Sequence, residues 1–259
     1  MRRALPVAGL TAARRALSRQ SDLVVSFGFY VIVVGVLSAL WRAAAESHHG
    51  SIAGHSGTAL TWYIAASEAA TVALNVRMIE YIGQDISGGA VAVEMLRPAP
   101  VVLVRLASEA GQGVARVIPL AGLGAAMSTL VAGGPPSLLG ATLALPALGL
   151  AVVCNLAMQH AVAAAAFWTR DARSSWFLYQ KFVFVLGGML LPLQILPGWL
   201  QHVAFSLPFM AMSYVPARLA SGHVEPLLLA VQLGWLVVAV AAAVAMFGAG
   251  QRRLQVVGG

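Results

Sequence analysis

The sequence predicts an all-α integral membrane protein with six transmembrane helices and both termini on the cytoplasmic side. Three observations predict it. The 259 residues are 59% hydrophobic and only 10% charged, against roughly 25% charged in an ordinary soluble domain, and mean hydropathy is +0.83. The apolar residues form runs near the length of about 20 residues that a bilayer crossing needs. The basic residues divide unevenly among the segments between those runs. A soluble, core-forming domain is excluded on these grounds. The net charge of +7 therefore reads as topology and not as a nucleic-acid surface.

The elements follow in order. Residues 1–22 carry Arg2, Arg3, Arg14, Arg15 and Arg19, with Leu5, Leu10, Ala13 and Leu17 at helical spacing. This is a basic amphipathic helix for the inner membrane surface. A secretory signal peptide competes, but the basic region and the apolar run after it are both too long. Residues 23–259 form the membrane domain. Span 1 is 23–40, closed by Trp41 and Arg42. A loop holding Glu46, His48, His49 and His55 follows, and its histidines read as solvated. Span 2 is 58–76 and contains Glu68.

Residues 80–100 form the one mixed-charge amphipathic stretch in an apolar protein, and they read as a cytoplasmic contact element. Asp85 and Ser87 are placed to cap a short helix, and Gly88 and Gly89 allow a sharp turn. Residues 90–96 then put Val93 and Leu96 on one side and Glu94 on the other, until Pro98 and Pro100 end the helix. The lever is residues 85–98, with 80–84 as the foot of span 2. Spans 3 and 4, 102–132 and 138–168, are divided by Gly133-Gly134-Pro135-Pro136. Glu109 and Arg116, two turns apart on the third helix, read as an ion pair. Span 5 is 176–196, loosened by Gly187, Gly188 and Pro192. Residues 197–222 are apolar but cut by prolines, and read as two short re-entrant helices that protein must cover. Span 6 is 226–248, ended by Arg252 and Arg253.

With the N-terminus inside, the inner segments hold Arg2, Arg3, Arg14, Arg15, Arg19, Arg77, Arg97, Arg105, Arg170, Arg173, Lys181, Arg252 and Arg253, and the outer ones Arg42 and Arg218. That bias places residues 80–100 in the cytoplasm.

Few residues carry chemistry. No P-loop precedes the sole lysine, Lys181, and HExxH is absent. No Gly-x-Ser-x-Gly is present. The single cysteine, Cys154, permits neither an intrachain disulfide nor a cysteine metal site. Glu68 is the sharpest candidate, because a carboxylate at the middle of a span costs about 2.5–3.5 kcal/mol. It is either a cavity carboxylate or a packed, neutralised one. The aromatics Trp62, Tyr63, Trp199, Phe205, Phe209 and Tyr214 read mainly as anchors at the outer interface.

Two blocks resemble ABC-2-type transporter permeases of the daunorubicin-resistance-like group. One is Asp85-Ile86-x-x-Gly89-x-Val91 followed by Leu96-Arg97-Pro98. The other runs from Leu196 and Trp199 to Pro208 and Phe209, then Tyr214-x-Pro216-Ala217-Arg218 and Gly222. The resemblance implies a permease subunit of an ATP-driven exporter in the bacterial inner membrane. Such a subunit moves a hydrophobic or amphipathic substrate (drug-like, lipid or natural product) by alternating access. It implies a second permease, as homodimer or heterodimer, and separate ABC ATPase subunits. ATP and magnesium would bind there, with no cofactor in this chain. Asp85, Ile86, Gly89, Val91, Val93, Leu96, Arg97 and Pro98 would form the ATPase-coupling helix. Spans 2 and 5 would line the substrate pathway, with Glu68, Asn75, Phe184 and Met189 as candidates. The alternatives are an ATPase-independent channel or scaffold, and an intramembrane enzyme in which Glu68 and His160 converge with a nucleophile.

Overall fold

The computed structural model describes residues 4–18, 20–52, 54–75, 77–96, 99–169 and 173–257. Arg2, Arg3, Arg19, Arg97, Pro98 and Arg170, named above, lie outside them. The first helix, α1 (Ala4–Ser18), is followed by α2 (Gln20–Ser47). The next turn is more ordered than its composition suggests. Strands β1 (Ser51–Ile52) and β2 (His55–Ser56) pair antiparallel, and the Ser56 side chain accepts from the Ala59 amide to start α3 (Gly57–Val72).

Helix α3 is buried at every position from Ala59 to Ala70. A helix apolar on all sides belongs at the centre of a bundle, and α3 sits there. On α2, the buried Tyr30 donates its hydroxyl to the Ala65 carbonyl at 2.8 Å.

The chain leaves α3 at Val72, earlier than residue 76. Helices α4 (Met78–Ser87) and α5 (Ala90–Glu94) follow. Residues 80–84 are therefore not the foot of α3. They share a helix with Asp85, and Arg77 at its start pairs with Glu80 at 2.8 Å.

Helix α6 (Val101–Ala132) carries Pro119 within it. Its first half receives α1 along a seam without side chains. A Cβ on Gly111 would lie 2.1 Å from the Gly9 carbonyl oxygen, and one on Gly9 would lie 3.1 Å from the Ala107 carbonyl. Small residues let backbones approach this closely. The buried residues of α1 include Ala12 and Ala16, whereas Leu10 and Leu17, expected on its apolar stripe, are exposed and border an open groove shared with α6.

Helix α7 (Leu138–Ala163) is capped by Ser137, which accepts from the Gly140 amide. It is succeeded by α8 (Ala166–Thr169) and α9 (Arg173–Leu186). The glycines at 187 and 188 end α9 instead of loosening a longer span. Gly188 has φ +68°, a conformation glycine adopts without strain. The carbonyls freed there find hydroxyls on α3: Tyr63 donates to Gly188 at 2.5 Å and Ser67 to Met189 at 3.0 Å. Unwound backbone inside a membrane protein needs such partners. Short helices α10 (Gly198–Phe205) and α11 (Tyr214–Ala220) occupy the region expected to be broken, joined through a 3-10 turn at Pro208–Ala211. The last helix, α12 (Pro226–Val257), extends past residue 248. Its buried Gln232 donates to the carbonyls of Ala147 and Ala211, both at 2.9 Å.

Among the described residues, four stretches are long and apolar enough to cross a membrane alone: Asp22–Ser47, Val101–Ala132, Leu138–Thr169 and Pro226–Arg253. Helices α3 and α9 have 16 and 14 residues, about 24 and 21 Å at 1.5 Å per residue. Each is shorter than a hydrocarbon core of about 30 Å.

Candidate functional site

One candidate surface lies at the corner where α4, α5 and α6 meet. Gly89 (φ +80°) turns the chain between α4 and α5, and it is the N-terminal flanking residue of α5 with no side-chain cap. Asp85 and Ser87 do not cap that helix, contrary to expectation. Asp85 instead accepts from Arg105 on α6 at 2.7 Å, and the Ser87 hydroxyl donates within α4 to the Gln84 carbonyl. Arg105 also grips Glu94 with two hydrogen bonds, 2.7 Å from Nε and 2.8 Å from Nη2. A planar guanidinium can serve two carboxylates in this way, whereas a lysine ammonium cannot match the fork. Ile86 and Val91 are packed in the core beneath, so these two anchor the corner and do not face outward. Val93 and Leu96 are 69% and 85% exposed. Sequence reasoning missed Arg105 as the clamp.

A second candidate is a cavity of 510 Å3 between α2, α3 and α9. Glu68, Phe184 and Met189 line it together, with Phe29, Val36 and Gln180 among the rest. Glu68 is 1% exposed, and its Oε1 meets no hydrogen-bond partner. Asn75 is not in this wall. It lines a polar cavity of 540 Å3 with Arg77, Glu109 and Arg116, and meets Phe184 only across a 40 Å3 space.

Two further polar clusters depart from the sequence reading. Glu109 turns to His160 on α7, 3.1 Å from its Nε2, and not to Arg116. His160 Nδ1 must donate to the Leu156 carbonyl at 2.8 Å, so a proton has to lie between Nε2 and the carboxyl for the pair to bond. Glu68 and His160 therefore do not converge. On the far side, His48 and His49 are exposed, but His55 is fully buried and accepts at Nε2 from Arg218 at 3.0 Å. The His223 ring lies against it, tilted by 53° with centroids 4.7 Å apart, and Glu225 faces Arg218 at 3.4 Å. Burial first, then His223 and the Arg218 guanidinium, push His55 down to about 4. Tyr63 and Tyr214, expected as interface anchors, are buried, and Gln194 donates to the Tyr214 hydroxyl, while Trp199 is exposed. Among the described residues, no group of three or more His, Cys, Asp or Glu is placed to hold a metal ion.

A predominantly helical bundle with several stretches apolar enough to cross a membrane is the architecture of a polytopic membrane protein. A family match covers residues 31–258, described as ABC-2 family transporter protein, and the chain belongs to that family. It is a membrane permease subunit of an ABC transporter, of the kind that works with ABC ATPase partners. No curated protein and no solved structure gives a significant match.

Proposed function

We propose that this chain is the permease half of an ATP-driven exporter of hydrophobic or amphipathic molecules in the bacterial inner membrane. It crosses the membrane six times with both termini inside. Helices α2, α3, α6, α7 with α8, α9 with the turn after it, and α12 make the crossings. The two short members, α3 and α9, are completed by the segments that follow them, and α10 and α11 dip in from the outside. A second permease faces the cavity between α2, α3 and α9, and the substrate pathway runs past Glu68, Phe184 and Met189. The α4–α5 corner seats in a groove of the ATPase, with Val93 and Leu96 as the inserted side chains, and Arg97 and Pro98 belong to the same coupling segment by sequence alone. ATP and magnesium bind on that partner. Closure of the ATPase dimer moves the corner, and the two states of the permease pair then differ in affinity for the substrate.

The observation that supports this best is the Arg105 clamp. It fixes two carboxylates from two short helices to one long helix while leaving two large apolar side chains in the open. A rigid corner with an apolar tip is what a force-bearing contact requires. The test is co-purification with a candidate partner ABC ATPase. Val93→Asp with Leu96→Asp is expected to abolish the complex while the permease keeps its unfolding temperature. If the double variant still binds the ATPase and supports substrate-stimulated ATP hydrolysis, the corner is not the coupling element.

A further inference from the structure

We infer that the cavity between α2, α3 and α9 is a binding site for a lipophilic cation, with Glu68 as its counter-ion. The inference rests on the permease reading for its purpose but on the cavity for its chemistry. The site offers 510 Å3, enough for a drug-sized molecule. Its walls are almost wholly apolar, from Phe29 and Val36 on α2 to Phe184 and Met189 on the α9 side. Within them stands one carboxyl group, on a side chain 1% exposed, whose Oε1 has no hydrogen-bond partner. Thr71 and Gln180, also in the wall, are neutral. A carboxyl group in such surroundings is costly unless something positive or proton-donating completes it, and among the described residues no basic side chain pairs with it. An anionic occupant, or a neutral one without a hydrogen-bond donor, would leave that cost standing, whereas a cation with apolar arms removes it and fills the walls.

A second observation points the same way. The α9 face beside the cavity already receives a cation: the Lys181 ammonium lies 5.0 Å from the Phe177 ring centroid and 5.7 Å from that of Phe184. Aromatic faces within about 6 Å attract such charge, and Phe184 belongs to the cavity wall. The opening is lateral, since Phe29, Ile32 and Val36 line the space and are also exposed on the side of α2. An occupant arrives sideways, from the bilayer or from the facing permease, and not through water.

The test uses two probes of one shape and opposite charge, tetraphenylphosphonium and tetraphenylborate, with the permease purified in complex with its ATPase. The wild type should bind tetraphenylphosphonium saturably and tetraphenylborate not at all. Glu68→Gln should weaken the cation at least about tenfold, as loss of a charge-assisted contact does. Val36→Trp, which fills the cavity from an exposed position, should block it, and Lys181→Gln should leave binding intact. Equal binding of the two probes, or cation binding unaffected by both Glu68→Gln and Val36→Trp, overturns the site. Cation binding that appears only in Lys181→Gln identifies Lys181 as the occupant and also overturns it. ATP hydrolysis separates this proposal from the broader one. Glu68-dependent binding without any change in hydrolysis would uphold the site and sink the transport role. Stimulation of hydrolysis equal in wild type and Glu68→Gln would do the reverse.

Discussion

Glu94 and Glu68 are the same side chain in opposite predicaments. Glu94, at the corner of α4, α5 and α6, is gripped by two donors of Arg105, which also holds Asp85. Glu68, in the middle of the bundle, is more deeply buried and leaves Oε1 without a hydrogen-bond partner. The first arrangement is closed: both carboxylates are held by one guanidinium within the chain, so its product is rigidity. The second is open, and its unmatched group is an invitation to something outside the chain. A corner that transmits force needs the one, and a cavity that must load and empty needs the other.

The strongest way to break the contrast is to remove the clamp. Arg105→Gln removes the guanidinium that holds both Asp85 and Glu94. It should lower stability by about 3 kcal/mol, at the bottom of the range for one-sided loss of a buried pair because the carboxylates are partly exposed. Chemical unfolding in detergent reads the loss, and co-purification with the ATPase should fail with it, Arg105→Lys recovering only part of either.

The outer cluster extends the rule to a charge added by acid. His55 titrates near 4 in the folded protein against about 6.5 for a free histidine. The unfolded chain therefore binds the extra proton between these values. Stability is full above pH 6.5 and is lost as the pH falls through 6.5 toward 4. The expected loss is about 2 kcal/mol, read as the drop in unfolding temperature between pH 7.5 and pH 4.5 that His55→Gln makes shallower. Arg218, His223 and Glu225 face the same group, so His223→Gln should flatten the remaining slope.

Neutralising each glutamate sharpens the comparison directly. Glu94→Gln should destabilise by about 1 kcal/mol, since a charge-assisted pair becomes a neutral one. Glu68→Gln should stabilise by about 1 kcal/mol, since a buried ionisable carboxyl without a partner at Oε1 is replaced by a neutral amide. Opposite signs in parallel melts are the result that matters. Smallest of all, Val93→Ser with Leu96→Ser should move stability by less than about 0.5 kcal/mol, as exposed positions do, while ATPase binding falls sharply.

The parts legible in the sequence were those that depend on neighbours along the chain. The charge-free runs gave α2, α7 and α12, and the Gly133–Pro136 break gave the turn between α6 and α7. Gly89 announced its left-handed turn. The family resemblance put Glu68, Asn75, Phe184 and Met189 on one pathway, and Glu68, Phe184 and Met189 do share a wall whereas Asn75 lies outside it. What could not be read depends on groups distant in sequence. Arg105 follows Asp85 by 20 residues, and nothing local says that it folds back over α4. His55 looked solvated because its partner, Arg218, is 163 residues away. The end of α9 was missed for a similar reason. Two glycines permit a break, but the hydroxyls of Tyr63 and Ser67 on α3 decide it.

The seam between Gly9 and Gly111 has a mechanical corollary. Side chains that interlock can slip by changing rotamer, one at a time. Two backbones in direct contact have no such intermediate positions, so α1 is either seated on α6 or off it entirely. Since Arg105 ties the corner to α6 only six residues before Gly111, a tug on α4 and α5 is delivered to α1 without slack. A protease offered the native protein should therefore find α1 wholly protected or wholly released, with no partially trimmed ladder between.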